Sequence, residues 1–197
     1  MDKVFAALAV SVDGFITGRS PRPGHGLGDG GILFDWYGSG DTPSQMFPGF
    51  QLFEPSRSVF DDLAERIGAV VMGRNTYDDS DGFGGNGPHP TAPIFVASHR
   101  PAPPEATDKQ TFVTSIEAGI ESARAAAGDR DVGVMGGGAV TAALCAGLLD
   151  EVVLHQVPVL LGSGRRFFQE LPGHIALSLA EAVPAPGVTH LRYRIEK

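Results

Sequence analysis

Apolar residues recur along this chain with two alternating periods, one of strands and one of helices. Val4–Val12 is an almost unbroken apolar run, as expected of a strand buried on both faces. Ser58–Ile67 sets Val59, Phe60, Leu63 and Ile67 on one helical stripe, and Ser58 and Asp61 have the spacing of a capping box. Short apolar runs at Ala69–Met72, Ile94–Ala97, Phe112–Val113 and Val132–Met135 predict further buried strands. Thr114–Glu117 reads as a capping box opening a helix that stops at Gly128. Ala139–Leu149 is apolar almost all round and predicts a buried helix, with Cys145 as a core thiol. Glu151–Leu161 predicts a long strand with an edge or bulge at Pro158. Ile175–Val183 and Thr189–Ile195 predict the last two strands. In the second, His190, Arg192 and Arg194 alternate with Leu191, Tyr193 and Ile195, which predicts that the first three face water.

Strands separated by helices imply a mostly parallel sheet with helices on both faces, and the alternating C-terminal strands imply an antiparallel edge. The expected fold class is therefore α/β, doubly wound, as one domain over residues 1–197.

Composition sharpens this picture at two places. The chain has 27 glycines and 15 prolines, and they are clustered. Ten Gly and four Pro fall in residues 14–49, and four Gly and six Pro fall in residues 82–104. The first stretch is too long for an ordinary connection, and Phe34, Trp36, Tyr37, Phe47 and Phe50 make it too aromatic for a solvated linker. It reads either as a lid packed over a site or as an insertion packed on the surface. Net charge is −8 with no Lys/Arg run, which argues against nucleic acid. No apolar run reaches membrane-spanning length, and Met1-Asp2-Lys3 leads directly into a strand, so the expectation is a cytoplasmic protein without a signal peptide or membrane contact. A single cysteine excludes a disulfide framework and a multi-cysteine zinc site, and the six histidines lack metal-ligand spacing.

Four segments carry candidate chemistry. Gly68–Tyr77 runs from a buried strand through Gly73 to Arg74, Asn75 and Thr76. Amides at a helix start, with an Arg fork, suit phosphate, although on local grounds an ordinary turn reads as well. Val132–Val140 places Gly136, Gly137 and Gly138 between a buried strand and a buried helix. That arrangement favours a pyrophosphate over mere close packing, yet it is neither a dinucleotide fingerprint nor a P-loop. Ile94–Arg100 puts Ser98, His99 and Arg100 at a strand end, and Arg74, Ser98 and Arg100 together suit a ribose 2′-phosphate or are solvated loop groups. Leu160–Phe167 is a Gly-rich turn, either a phosphate nest or only a turn.

Taken in order, AALAVSVDGFI, VVMGRNTY, FVASHRP, VGVMGGGAV and LLDEVVLHQVPVLLGSGRRFF resemble the dihydrofolate reductase-like superfamily, and more narrowly the RibD C-terminal, riboflavin-pathway reductase domain and its stand-alone relatives. The resemblance spans nearly the whole chain. It implies an NADPH cofactor, hydride transfer to a small-molecule substrate, and homodimers. By position, Gly73, Arg74, Asn75 and Thr76 would meet the cofactor phosphates, and Ser98 and Arg100 its 2′-phosphate. Gly136, Gly137, Gly138, Ala139 and Val140 would wrap the pyrophosphate and nicotinamide ribose. Ala7, Ser11, Asp13 and Gly14 would flank the nicotinamide and substrate. Asp13 and Asp61 are the candidate proton sources, against a simple Asp-Gly turn for the first and helix capping for the second. Trp36 either covers the substrate or packs in a dimer interface. Where a dihydrofolate reductase carries its catalytic carboxylate this chain has Arg57, which argues against folate reduction. Three readings follow: a reductase nearest to 5-amino-6-(5-phosphoribosylamino)uracil reductase, a dihydrofolate reductase, or a non-catalytic ligand- or protein-binding domain whose NADPH cleft has decayed.

Overall fold

The computed structural model describes residues 2–196. In chain order the strands are β1 (Val4–Ser11), β2 (Thr42–Pro43), β3 (Gln51–Leu52), β4 (Ile67–Gly73), β5 (Ile94–Ala97), β6 (Gln110–Val113), β7 (Asp131–Met135), β8 (Glu151–Val157), β9 (Leu177–Ala185) and β10 (Val188–Ile195). The α-helices are α1 (Glu54–Arg66), α2 (Arg74–Asp79), α3 (Ile116–Ala127) and α4 (Gly137–Cys145), and short 3-10 turns cover Gly31–Tyr37 and Asp81–Gly85. Eight strands form one sheet in the order β6-β5-β4-β7-β1-β8-β10-β9. The first six are parallel, and β10 and β9 pair antiparallel at the edge. The expected doubly wound sheet with an antiparallel C-terminal edge is the one found.

β1 explains why its sequence is apolar without alternation. Val4, Ala6 and Val10 pack toward Ile120, Ala123, Val140 and Ala143 of α3 and α4, while Phe5 and Ala9 pack on the opposite face, against Leu63 of α1 and against Leu33 and Trp36 of the long connection. Both parities of the strand meet a layer, so neither can be polar. The chain leaves β1 for β4, builds outward to β6, and returns to place β7 between β4 and β1. That reversal opens a crevice at the carboxyl ends of β1, β4 and β7, where ligands of such sheets bind.

Several local expectations are corrected. α1 starts at Glu54, one turn earlier than the pattern suggested, because Pro55 suits the first helical turn; Asp61 is therefore a mid-helix residue and caps nothing. α3 is capped by Ser115, whose side chain accepts from the Ala118 amide. β8 stops at Val157, before Pro158, which has no N–H for the ladder. Cys145 ends α4 and is exposed, not a core thiol. His190 does not face water; it is 2% exposed, beneath Trp36. Among the described residues no helix is long and apolar enough to cross a membrane.

Candidate active site

A cavity of about 1150 Å³ opens at the carboxyl edge of the sheet and runs onto the face of β1 that carries Phe5, Ala7 and Ala9. Its two halves differ in chemistry. One is made of strand ends and the turns that follow them: Gly73–Thr76 after β4, Ala97–Arg100 after β5, and Met135–Ala139 after β7. The other is aromatic: Phe34 and Tyr37 from the 3-10 turn, Phe47 and Phe50 from the long connection, and Phe60 from α1, with His155 of β8 in the wall.

In the first half, α4 begins on Gly136. The amide of Val140 is bonded to the Gly136 carbonyl at 2.9 Å, so the amides of Gly137, Gly138 and Ala139 head the helix ahead of that first bond. A Cβ at Gly136, where φ is +90°, would overlap Thr76 Oγ1, and one at Gly137 would overlap the Arg166 carbonyl. Close approach of the protein's own atoms thus requires these two glycines; at Gly138 a Cβ would meet only ordinary contacts with Gln169.

Arg74 is held tightly. Its Nε donates to Asp78 at 2.7 Å, its Nη1 donates to the Pro101 carbonyl at 2.9 Å, and its guanidinium lies near the rings of Tyr77 and Phe112. Ser98 Oγ is 3.4 Å from Arg74 Nη1 and accepts from the Arg100 amide. Arg100 donates to the second oxygen of Asp78 at 2.6 Å. Burial opposes ionisation of Asp78, but the two arginines outweigh it and hold its pKa below the ordinary value. Two guanidinium groups thus share one carboxylate, which leaves the cluster with net positive charge at the cavity rim.

The structure brings together Ala7, Gly73, Arg74, Asn75, Thr76, Ser98, Arg100, Gly136, Gly137, Gly138 and Ala139 around this cavity. Six sequence-selected residues lie elsewhere. Val140 is fully buried on the α3/α4 side of the sheet. Ser11, Asp13 and Gly14 form the clasp between residues 12–18 and 158–167. Asp13 accepts from Ser11 Oγ and from the amides of Leu161 and Gly162. Gly14 has φ +87° in the Asp-Gly turn, and its carbonyl accepts from the Phe167 amide. The hydrogen bond from Ser11, joined by those two amides, lowers the Asp13 pKa to about 2, so its carboxylate has no proton to give near neutral pH. Asp61 is 4% exposed and does not line the cavity. It accepts from Ser44 Oγ, from the Gln45 amide at 3.1 Å and from Arg57 at 3.3 Å, so it fastens the long connection to α1. Trp36 is 3% exposed and packs behind the aromatic half, against Tyr37, Phe60, His155 and His190.

Sequence reasoning missed the acid that does line the cavity. Asp79, the last residue of α2, is 8% exposed and pairs with Arg165 at 2.7 Å. Burial raises its pKa above the ordinary value, against the pull of Arg165. The signal was local: Asp78 lies four residues after Arg74 and is taken by it, so the next acid faces elsewhere. Also missed were Thr17, Gln169 and His155, whereas Arg165 and Arg166, which line the cavity too, belong to the Gly-rich turn that reads as a phosphate nest or only a turn.

The RibD C-terminal domain family model matches residues 2–190, and the chain belongs to this reductase-like family. A Shewanella sp. PV-4 protein named for riboflavin biosynthesis is 26% identical over the whole of both chains, with a TM-score of 0.72. The pyrimidine reductase-like protein DIP1392 of Corynebacterium diphtheriae shares the fold at 12% identity and a TM-score of 0.63, over all of this chain and 92% of that one. RibD of Acinetobacter baumannii shares it at 17% identity and a TM-score of 0.62, the match covering all of this chain and 58% of that chain. No curated protein sequence matches.

Proposed function

We propose that the chain is an NADPH-dependent reductase that adds a hydride to a C=N or C=O bond of a small heterocyclic or carbonyl substrate. Its nearest relative in activity would be 5-amino-6-(5-phosphoribosylamino)uracil reductase. The observation that carries this reading is the union, in one cavity, of a glycine-lined helix start, a paired-arginine rim and a buried acid with a raised pKa. Family membership supports the reductase class.

The donor set fits the cofactor. The amides at the start of α4 suit pyrophosphate oxygens, and Arg74, Arg100 and Ser98 suit a 2′-phosphate, which would take up hydrogen bonds now given to Asp78. When bound, the nicotinamide supplies the hydride. The protein must then hold the acceptor and deliver a proton to its heteroatom. Asp79 is the group placed for the second task. Burial favours its protonated form, and Arg165 stabilises the carboxylate left after the proton has gone.

The test is NADPH oxidation with 5-amino-6-(5-phosphoribosylamino)uracil and, in parallel, with dihydrofolate. Turnover of neither, together with no change in NADPH fluorescence on adding protein, would favour a non-catalytic domain. Binding of NADPH without turnover of either would point to another acceptor.

A further inference from the structure

Residues 81–85 run left-handed. Backbone φ is +48° at Asp81, +58° at Gly82, +52° at Phe83, +58° at Gly84 and +82° at Gly85, which makes one short turn of the opposite hand just after α2. Glycine enters that region freely, but the Cβ of any other residue crowds a neighbouring carbonyl there. Asp81 and Phe83 are therefore strained, and a side chain as large as Phe83 seldom takes this conformation. Among the described residues Ser20 is the one other non-glycine with positive φ. Strain of this kind persists only where the surroundings over-determine it, and it gathers at working sites.

The chief restraint is one side chain. Gln110, on the edge strand β6, is 5% exposed and does not line the cavity. Its Nε2 donates to the carbonyls of Gly82 and Asn86, both at 2.8 Å. Its Oε1 accepts from the Tyr77 hydroxyl at 3.0 Å and from the Thr107 amide at 3.3 Å. A side-chain amide has two donors and two lone pairs, so all of its capacity is in use. The Thr107 hydroxyl adds a bond to the Gly85 carbonyl at 2.5 Å, and the Asp81 carboxylate accepts from the Gly24 amide at 2.9 Å. Tyr77 comes shortly before Asp79 in the chain and Gly82 shortly after it, so Gln110 grips both sides of the buried acid. The two gripped points also touch: a Cβ on Gly82 would overlap the Tyr77 hydroxyl. If the turn relaxed to the common hand, α2 would run on past Asp79, and neither Asp79 nor Phe83 would keep its place in the cavity wall.

We propose that Gln110 is a positioning residue for proton delivery: by clamping Tyr77, Gly82 and Asn86 it keeps the left-handed turn wound, and so keeps Asp79 shut away from water and against Arg165. This rests on the reductase reading, in which Asp79 gives the proton. The charged groups that act on Asp79 are Arg165, which favours its carboxylate, and Asp78, which opposes it. Gln110 is neutral and acts only by holding the chain.

The test reads Asp79 directly, by NMR titration of its side-chain carboxyl without substrate. In the native chain its pKa is expected above the ordinary carboxylate value, because burial outweighs Arg165. In Gln110→Leu, which keeps the bulk and removes all four bonds, it is expected to fall toward that value. An acid is protonated below its pKa, so the alkaline limb of kcat should move to lower pH with it. At neutral pH kcat should drop about tenfold, while KM for NADPH stays within about twofold. Gln110→Glu cannot donate to Gly82 and Asn86 and should behave as the Leu variant does. Tyr77→Phe releases only the α2 side of the grip and should give a smaller shift of the same sign; it carries the test if the Gln110 variants fail to fold. An Asp79 pKa that stays put in the folded variants overturns the proposal. A shifted pKa with unchanged kcat would instead sink Asp79 as the proton donor and leave the clamp standing.

Discussion

One half of the cavity is built from what immediately follows a strand, at Gly73–Thr76, Ser98–Arg100 and Gly136–Ala139; the other is built from residues that the chain gathers over long separations. Tyr37, Phe50, Phe60 and His155 meet only because a connection of some forty residues folds back across α1 and β8. The strand-end half holds its groups by backbone geometry and ion pairs. The aromatic half holds them by ring packing and by the buried pair His155 and His190, joined Nδ1 to Nδ1 at 2.7 Å. Chemistry common to a family can be written in the first manner, whereas selectivity can be rewritten in the second without disturbing the sheet.

Five substitutions would break or sharpen that contrast. The largest effect is expected at Asp79. Asp79→Asn should lower kcat by about 10²–10³ if it delivers the proton, without loss of stability, since the folded chain no longer has to bury a carboxylate. Steady-state rates and thermal unfolding on the same preparation check both parts. Next is Arg74→Ala, which should reduce the preference for NADPH over NADH by about tenfold or more; an unchanged ratio in initial-rate assays would remove the phosphate assignment from that rim. Smaller, and structural, is Gly137→Ala, expected to cost about 1–3 kcal/mol in urea unfolding because its Cβ has nowhere to go, while Gly138→Ala should be nearly neutral. If both are neutral, the packing account of the glycines fails. Asp61→Ala should cost a comparable 1–3 kcal/mol, roughly, through the unpaired Ser44 and Arg57 it leaves, and raise KM more than it lowers kcat.

The histidine pair adds a pH dependence confined to the aromatic half. Both pKa values are depressed on folding, so the unfolded chain binds the extra protons. Their contribution is whole above the unfolded value of about 6.5 and is lost as pH falls toward 4, by up to about 1.4 kcal/mol per histidine per pH unit. Urea unfolding at pH 7, 6 and 5 should show the decline, and His155→Asn should flatten it.

The same division governs what could be read before the fold was known. Strand order, the parallel core and the glycine and arginine turns are written locally, as runs of apolar residues ending in Gly73 or Gly136. The proton source was not. Asp13 and Asp61 stand beside motifs in sequence, yet a neighbouring hydroxyl and amides claim each of them. Their engagement depends on partners up to 149 positions away. His190 was misread because alternation in a strand says which residues share a face, but not which face is covered. Trp36, brought in by the long connection, does the covering.

The fastening of that connection has a kinetic meaning. Its start is zipped to residues 158–167 through Asp13, and its middle is tied to α1 through Asp61. A segment anchored twice is a wall and not a gate: its disorder is surrendered once, when the chain folds, and not again at every turnover. Encounter with a well-shaped ligand should then be fast and release unhindered by any opening step. A bulky analogue should be refused at the entrance instead of being slowly accommodated.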